Sequence, residues 1–377
     1  MKKSFLAGLT QTEFMRRHWQ KAPLLTPRAL PDYADAVTRE DLIALAQRDD
    51  VESRIVRRSA GSWHVQHGPF TARDIARLPR TGWTLLVQGV DQKLRQAARL
   101  LREFSFIPYA RLDDVMISYA APGGGVGPHF DSYDVFLLQG QGTRRWQISR
   151  QRDLELLEDA PVKILKRFAS EHEWRVGPGD LLYLPPQCAH NGVAIGECIT
   201  YSIGFRAPSA QELGQQFLEY LQDRLALDGM YEDPDLTPTR APGRIPQSLI
   251  DSAVSTLERL RWSRADVTRF MGAYLTEPKA HVVFDTPARS GTFDAFVRRV
   301  RNRGLRLALP TRLLISGRRL FINGESLHAP ARTLKLFSAL ADERELRAPL
   351  DFDATAGRVL YAWYCAGYIE IGAAPAT

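Results

Sequence analysis

The sequence predicts an α+β chain in three parts: an antiparallel β barrel or sandwich behind short helices (residues 1–207), a helical region (208–280) and a mixed winged-helix-like region (281–377). Three observations predict it. From about 111 to 206, short β-rich runs are separated by Gly and Pro instead of by helices, the pattern of an antiparallel sheet and not of alternating β and α units. From about 208 to 280 apolar residues recur at helical spacing. Beyond 281 a strand pair lies among helices, as in a winged helix.

The elements follow in order. "REDLIALAQRD" (39–49) and "DQKLRQAARLLREF" (91–104) carry helical periodicity with acidic residues near their starts. The strands expected next are "VMISYA", "DVFLLQ", "RRWQIS", "EWRV", "DLLYLPP" and "CITYSIGF". "SAQELGQQFLEYLQDRL" (209–225) opens with Ser209 and Glu212 at capping-box spacing. A Pro-rich connector leads to helices in "PQSLIDSAVSTLERLRW" (246–262) and "SRADVTRFMGAYL" (263–275). Such helices can pair with a second subunit to give a homodimer, or form an internal helical subdomain. "TRLLISGRRLFING" reads as a hairpin turning near Gly317, and two helices and a strand follow it.

With 377 residues, 44% of them hydrophobic and 25% charged, the chain has room for two or three domains and the composition of a soluble protein. No apolar run reaches the roughly 18–20 residues that span a bilayer, so no membrane role is expected. The start imitates a signal peptide for nine residues and then breaks at Thr10-Gln11-Thr12-Glu13, so the expected location is cytoplasmic. Cys188, Cys198 and Cys365 are scattered without a C-x-x-C pair, which argues against a disulfide framework or zinc ribbon. A net charge of +7 and a pI near 9.4 allow contact with RNA without establishing it.

The chemistry is concentrated in "PGGGVGPHFDSYDVF". Residues i and i+2 of an extended chain point to one side, so His129 and Asp131 can present an imidazole and a carboxylate to one point. Alone, such a pair reads as readily as a surface turn. A third donor, His190, follows "GDLLYLPPQCA" 59 residues after Asp131, far enough for antiparallel strands to bring it back. Two histidines and one carboxylate form the facial triad of non-haem Fe(II) oxygenases, with coordination positions left open. In "RRWQIS", Arg144 shares a face with Trp146 and Ile148, where a guanidinium needs a partner; a dicarboxylate such as 2-oxoglutarate supplies one. Ser202, which shares a face with Thr200 and Gly204, adds a hydroxyl, while Arg145 on the opposite face is expected to be solvated.

"PGGGVGPHFDSYDVFLLQGQGTRRW" followed by "GDLLYLPPQCAHNG" resembles the JmjC-type ribosomal oxygenases, and more narrowly the bacterial enzymes that hydroxylate an arginine of the sixteenth large-subunit ribosomal protein. "FMRRHWQKAPLLTPRAL" resembles their entry segment. The resemblance implies a double-stranded β-helix (a cupin-like jelly roll), a helical dimerisation region and a C-terminal winged helix. It implies His129, Asp131 and His190 as Fe(II) ligands, and Arg144 and Ser202 as anchors of 2-oxoglutarate, with O2 as second cosubstrate and a ribosomal protein as substrate. Substrate contacts are expected at Met116, Ser118, Tyr133 and Asp134. Acid to receive a basic substrate is sought at Asp113/Asp114 and Glu155/Glu158.

Two alternatives stand beside this reading. The same chemistry can act on a histidine or lysine of another protein, since an iron site does not identify the residue it oxidises. Or the chain is a nucleic-acid-binding regulator whose barrel senses a small molecule, with "RRVRNRGLRLALPTRLLISGRR" (298–319, eight arginines and no acid) facing phosphates. That run equally fits a solvated surface. His64, His67, His172, His281 and His328 have no partner at a metal-binding spacing.

Overall fold

The computed structural model describes residues 5–33, 36–59 and 61–372. In its first part, helices α1 (Gln11–Arg17), α2 (Arg39–Ala46), α3 (Ala72–Ala76) and α4 (Arg95–Glu103) intersperse strands β1 (Leu24–Thr26), β2 (Ser53–Ser59), β3 (Ser62–His67) and β4 (Trp83–Val87). Thr10/Glu13, Thr38/Asp41 and Thr71/Asp74 close capping boxes on α1, α2 and α3, satisfying the free N–H groups at each start. The strand-rich block then comprises β5 (Leu112–Ala120), β6 (Val135–Gln141), β7 (Arg144–Ser149), β8 (His172–Val176), β9 (Leu181–Leu184), β10 (Ala189–Ala194) and β11 (Cys198–Phe205).

These strands make an eight-stranded sheet in the order β1-β9-β6-β11-β5-β4-β2-β3 and a three-stranded sheet in the order β10-β7-β8. All their pairings are antiparallel, and the chain crosses between the two sheets after β6, β8, β9 and β10, as in a jelly roll. The period of two gives the large sheet two different faces. Ile117, Tyr119, Phe136, Leu138, Tyr183, Tyr201 and Ile203 point outward into a core shared with Phe14, Leu42, Leu45, Ala97 and Leu100 from the helices. Val135, Leu137, Leu182 and Leu184 point inward against Trp146, Ile148 and Val176 of the small sheet. Residues of opposite parity on β5 and β11 line the space between the sheets. The fold thus places the site inside a barrel whose outer face is sealed by helices.

The helical region holds α5 (Ala210–Gln222), α6 (Gln247–Leu257) and α7 (Arg264–Thr276). Ser209 caps α5 as expected, its Oγ accepting from Glu212 N at 3.0 Å. The Glu212 carboxylate instead accepts from Tyr274 on α7 (2.6 Å), so the box is half made and its other half ties two helices together. The last part runs α8 (Phe293–Arg303), β12 (Leu305–Leu307), β13 (Leu313–Ser316), β14 (Arg319–Ile322), β15 (Glu325–His328), α9 (Ala331–Glu343), β16 (Glu345–Leu346), α10 (Ala354–Cys365) and β17 (Ile369–Ile371). The β13–β14 hairpin turns at Gly317, whose φ of +58° is the left-handed conformation that such a turn requires.

By its contacts the chain divides into two compact units. One contains Met1–Ala207, Pro278–Arg312 and Lys335–Thr377; the other contains Pro208–Glu277 and Leu313–Leu334. The region 281–377, taken as one in the sequence, is therefore shared: β13, β14 and β15 belong with α5, α6 and α7, while α8, β12, α10 and β17 belong with the barrel unit.

Candidate metal centre

His129, Asp131 and His190 converge although they come from different segments: one ligand atom of each lies within 4.8 Å of the other two. His129 forms a single antiparallel bridge with His190, just ahead of β6, and the two rings lie 4.2 Å apart between centroids. Asp131 Oδ2 is 3.7 Å from His190 Nε2. Each imidazole has Nδ1 against a main-chain carbonyl, His129 on Gly127 O (2.9 Å) and His190 on Cys188 O (2.8 Å). A carbonyl only accepts, so Nδ1 carries the proton and Nε2 keeps its lone pair for a metal. Burial, and then the neighbouring His129, push the pKa of His190 down to about 4, against the opposing pull of Asp131. His190 is therefore a neutral ligand at physiological pH.

The triad opens into a cavity of about 640 Å³ between the sheets. Its inner wall follows the parity of the strands: Asp114, Met116 and Ser118 on β5, Thr200, Ser202 and Gly204 on β11, Arg144 and Trp146 on β7. Arg144 pairs in register with Ala194, four residues from His190, which sets it roughly 13 Å along the strand from the ligand. It is 4% exposed, and its Nε and Nη2 have no hydrogen-bond partner; its guanidinium carbon lies 5.6 Å from the Trp146 ring. A buried guanidinium with unmet donors is costly. A dicarboxylate chelating a metal at the triad and reaching down the barrel would satisfy it, so the residues present fit both an open-sided Fe(II) and 2-oxoglutarate.

Of the residues expected to contact substrate, Met116, Ser118 and Tyr133 line this cavity. Asp134 does not, and that expectation is corrected. Its parity is that of Phe136, so it points to the helical side, fully buried, and accepts from Tyr183 (2.6 Å) and Gln20 (3.0 Å), with Arg111 3.6 Å away. Of the acidic pairs, Asp114 is in the wall with Gln88 (3.3 Å) and Lys279 (3.4 Å) on its carboxylate, whereas Asp113 faces Arg206 (3.4 Å), Lys279 (3.6 Å) and Arg312 (3.7 Å). Burial and then the charge of Asp113 raise the pKa of Asp114, against the pull of Lys279 and Gln88. A cation entering the cavity would relieve that penalty. Glu155 is held by Lys166 and Arg167 (2.8 Å each), and neither it nor Glu158 lies in the wall.

Other wall residues carried no local signal in the sequence. Thr84 and Leu86 come from β4 and Arg54 and Val56 from β2, well upstream of the ligand motif, and Leu156, Leu157, Pro161, Val162 and Lys163 come from the connection between β7 and β8. The basic run 298–319 is partly used internally: Arg306 pairs with Glu370 (2.7 Å), Arg301 lies 3.8 Å from Asp351, and Arg312 donates to the carbonyls of Leu112 (3.1 Å) and Asp113.

A jelly roll holding two histidines and a carboxylate at one end and a buried, unsatisfied arginine at the other defines a class, the non-haem iron oxygenases. Comparison with known proteins narrows it. Residues 99–213 match the JmjC domain family, and residues 259–370 match the ROXA-like winged helix. The ribosomal protein uL16 3-hydroxylase of Escherichia coli (strain K12) is 33% identical over 328 residues, 86% of this chain and 87% of that protein. A probable ribosomal oxygenase of Haemophilus influenzae is 36% identical over 265 residues, 67% of this chain and 63% of the relative. The structure of YcfD, a ribosomal oxygenase from Escherichia coli, in complex with cobalt and 2-oxoglutarate matches with a TM-score of 0.82 at 32% identity, covering 97% of this chain and 99% of that one. This chain belongs to the JmjC ribosomal oxygenases. It is a 2-oxoglutarate-dependent enzyme that uses Fe(II) and O2, and its C-terminal part includes a winged helix.

Proposed function

We propose that this protein hydroxylates an arginine side chain of a large-subunit ribosomal protein, acting in the cytoplasm as a homodimer. The observation that carries the reading is one cavity with the His129/Asp131/His190 set at one end and the unpaired Arg144 at the other. The identity to the uL16 3-hydroxylase over most of both chains supports the substrate class.

In this reading His129, Asp131 and His190 hold the iron, and Arg144 and Ser202 hold the distal carboxylate of 2-oxoglutarate. When bound, the metal and cosubstrate would supply the oxidising chemistry, 2-oxoglutarate and O2 being converted to succinate and carbon dioxide as one oxygen atom goes to a C–H bond of the substrate. The chain's own residues bind, orient and exclude water. The carbonyls of Gly127 and Cys188 fix the two imidazoles. Trp146 and Ile148 keep the barrel interior apolar. Asp114, Met116 and Tyr133 offer an arginine what its side chain needs, a carboxylate for the guanidinium and apolar and aromatic walls for the stem. The Tyr133 phenol, protonated at neutral pH like any ordinary tyrosine, can donate. The cytoplasmic location is supported by the ribosomal substrate class.

The test is the intact mass of ribosomal proteins after incubation with enzyme, Fe(II), 2-oxoglutarate and air, with His129→Ala alongside. One added oxygen on one large-subunit protein, located on an arginine and absent with the variant, is the expected outcome. Oxygen on a histidine or lysine would keep the chemistry and refute the arginine assignment. Succinate formation with no protein modified would refute the ribosomal substrate.

A further inference from the structure

Arg144 is not the only unsatisfied polar side chain in the cavity wall. Thr84, on β4, is 1% exposed, lines the same cavity, and its Oγ1 has no hydrogen-bond partner. It precedes the 99–213 segment that matches the JmjC domain.

The strand registers place the two orphans at one end of the barrel. Directly opposed residues of antiparallel strands project to the same side. Thr84 opposes Ala120, and Ala120 opposes Cys198, so these three project from the large sheet together. Arg144 opposes Ala194 on the small sheet. Ala120, Ala194 and Cys198 pack on one another as a buried cluster that joins the two sheets. Next to this cluster of three small side chains lie an unsatisfied hydroxyl on one sheet and an unsatisfied guanidinium on the other. Of the other hydroxyls that β5 and β11 turn to the cavity, Thr200 Oγ1 donates to Gln139 Oε1 at 3.0 Å and Ser118 Oγ to Thr200 O at 3.4 Å, which leaves Ser202, already assigned to the distal carboxylate of 2-oxoglutarate. A carboxylate accepts about four hydrogen bonds, and an arginine fork fills two of those positions. The other two positions fall to neighbouring donors, Ser202 and Thr84, and the Thr84 hydroxyl has no acceptor of its own.

We infer that Thr84 Oγ1 donates to the distal carboxylate of 2-oxoglutarate beside Arg144, so that a strand upstream of the jelly roll completes the cosubstrate site. This rests on Arg144 being the anchor of that carboxylate. Thr84 is then a selectivity residue: it acts on keto acids that carry the second carboxylate and ignores those that lack it.

The experiment measures equilibrium binding to the Co(II)-loaded full-length protein, with no turnover, from the cobalt absorption. Two ligands are compared, 2-oxoglutarate and 2-oxobutyrate, which chelates alike but ends in a methyl. Thr84→Val, equal in shape, is expected to weaken 2-oxoglutarate roughly ten-fold, the loss of one hydrogen bond to a charged group, and to leave 2-oxobutyrate unchanged. Thr84→Ser should restore most of the affinity. Without ligand, Thr84→Val should melt no lower than wild type, because the hydroxyl it removes has no partner to lose. Unchanged 2-oxoglutarate binding, or equal weakening of both keto acids, would overturn the proposal. Arg144→Met reads the underlying assignment separately: if it spares 2-oxoglutarate, the anchor itself is wrong and the inference falls with it.

Discussion

Asp91 is a carboxyl held against its own chemistry. It lies just before α4, accepts from Val115 N at 2.8 Å, and burial, followed by the charge of Asp114, raises its pKa to about 7. Its unfolded value is near 3.8. The folded state therefore binds a proton more tightly than the unfolded chain, and stability falls as the pH climbs from about 4 through 7. Asp91→Asn keeps the acceptor for Val115 and cannot ionise. It is expected to be more stable than wild type at pH 8, by about 1–4 kcal/mol, with the gain vanishing near pH 4. Denaturant melts at the two pH values check this, and an equal effect at both would show that the charge is not the cause. Residues were legible in the sequence only where a local rule fixes direction. The i, i+2 rule aimed His129 and Asp131 together, and the alternation of "RRWQIS" turned Arg144 inward and left Arg145 40% exposed near Glu173. Asp134 was misread because adjacency to the metal segment says nothing of parity, and its parity is that of the outward Phe136. Thr84 and Asp114 acquire meaning only from the strands opposite them, which a linear reading does not supply.

Among the elements, the glycine-rich turn ahead of His129 shows how the metal ligand is positioned. Gly127 has a φ of +83°, and a Cβ there would meet the Trp63 ring at 2.6 Å and Ile164 Cδ1 at 2.7 Å. Its carbonyl is the acceptor for His129 Nδ1. The connection between β7 and β8 is fastened to the same turn, with Leu165 N donating to Pro128 O at 2.8 Å. Its flank is closed by Asp153–Arg167 (2.7 Å) and Glu155–Lys166 (2.8 Å). Gly127→Ala must displace the turn or its two neighbours, at a cost of about 1–3 kcal/mol, and it carries the imidazole with it. We expect Co(II) affinity to fall by about ten- to a hundred-fold, as when a ligand loses its supporting partner. Metal titration of the folded variant measures it; wild-type affinity would mean the turn yields without moving His129. The neighbouring strands were mostly readable, since β6, β7, β9 and β11 are short β-rich runs set off by Gly or Pro, with clear alternation in β7. β10 was hidden, because "PPQCAH" reads as a loop until His190 pairs with Ile148 across the small sheet. β2, β3 and β4 escaped for other reasons, though they extend the large sheet by three strands: arginines and histidines mask the alternation of β2 and β3, and β4, WTLLV, is a short buried run with no alternation to read.

For the whole molecule, the helical unit carries the strongest sign of incompleteness. Phe217 of α5 packs on Phe270 of α7 (5.2 Å between ring centroids) and on Trp262 (5.6 Å), yet α5 and α6 bury no residue completely. Leu218 is 66% exposed and Leu257 62%, with Ile250, Val254 and Ile245 also open to solvent. Scattered exposed apolar residues are ordinary, but a run of them along α6, with Leu218 on α5, has the composition of an interface. The sequence left a choice between a dimerisation region and an internal subdomain. The stripe is open in the single chain, and the homodimer proposed above would cover it. Truncating a buried leucine contact costs about 2–5 kcal/mol, and a charge in its place costs more. Leu218→Glu with Leu257→Glu is therefore expected to convert a dimer into a monomer at micromolar concentration, read by light scattering. Both substitutions lie outside the barrel unit, so Co(II) and 2-oxoglutarate binding should stay at wild-type strength. A wild-type protein that is already monomeric at tens of micromolar would refute the homodimer, and the exposed stripe would then have to be covered by a different chain.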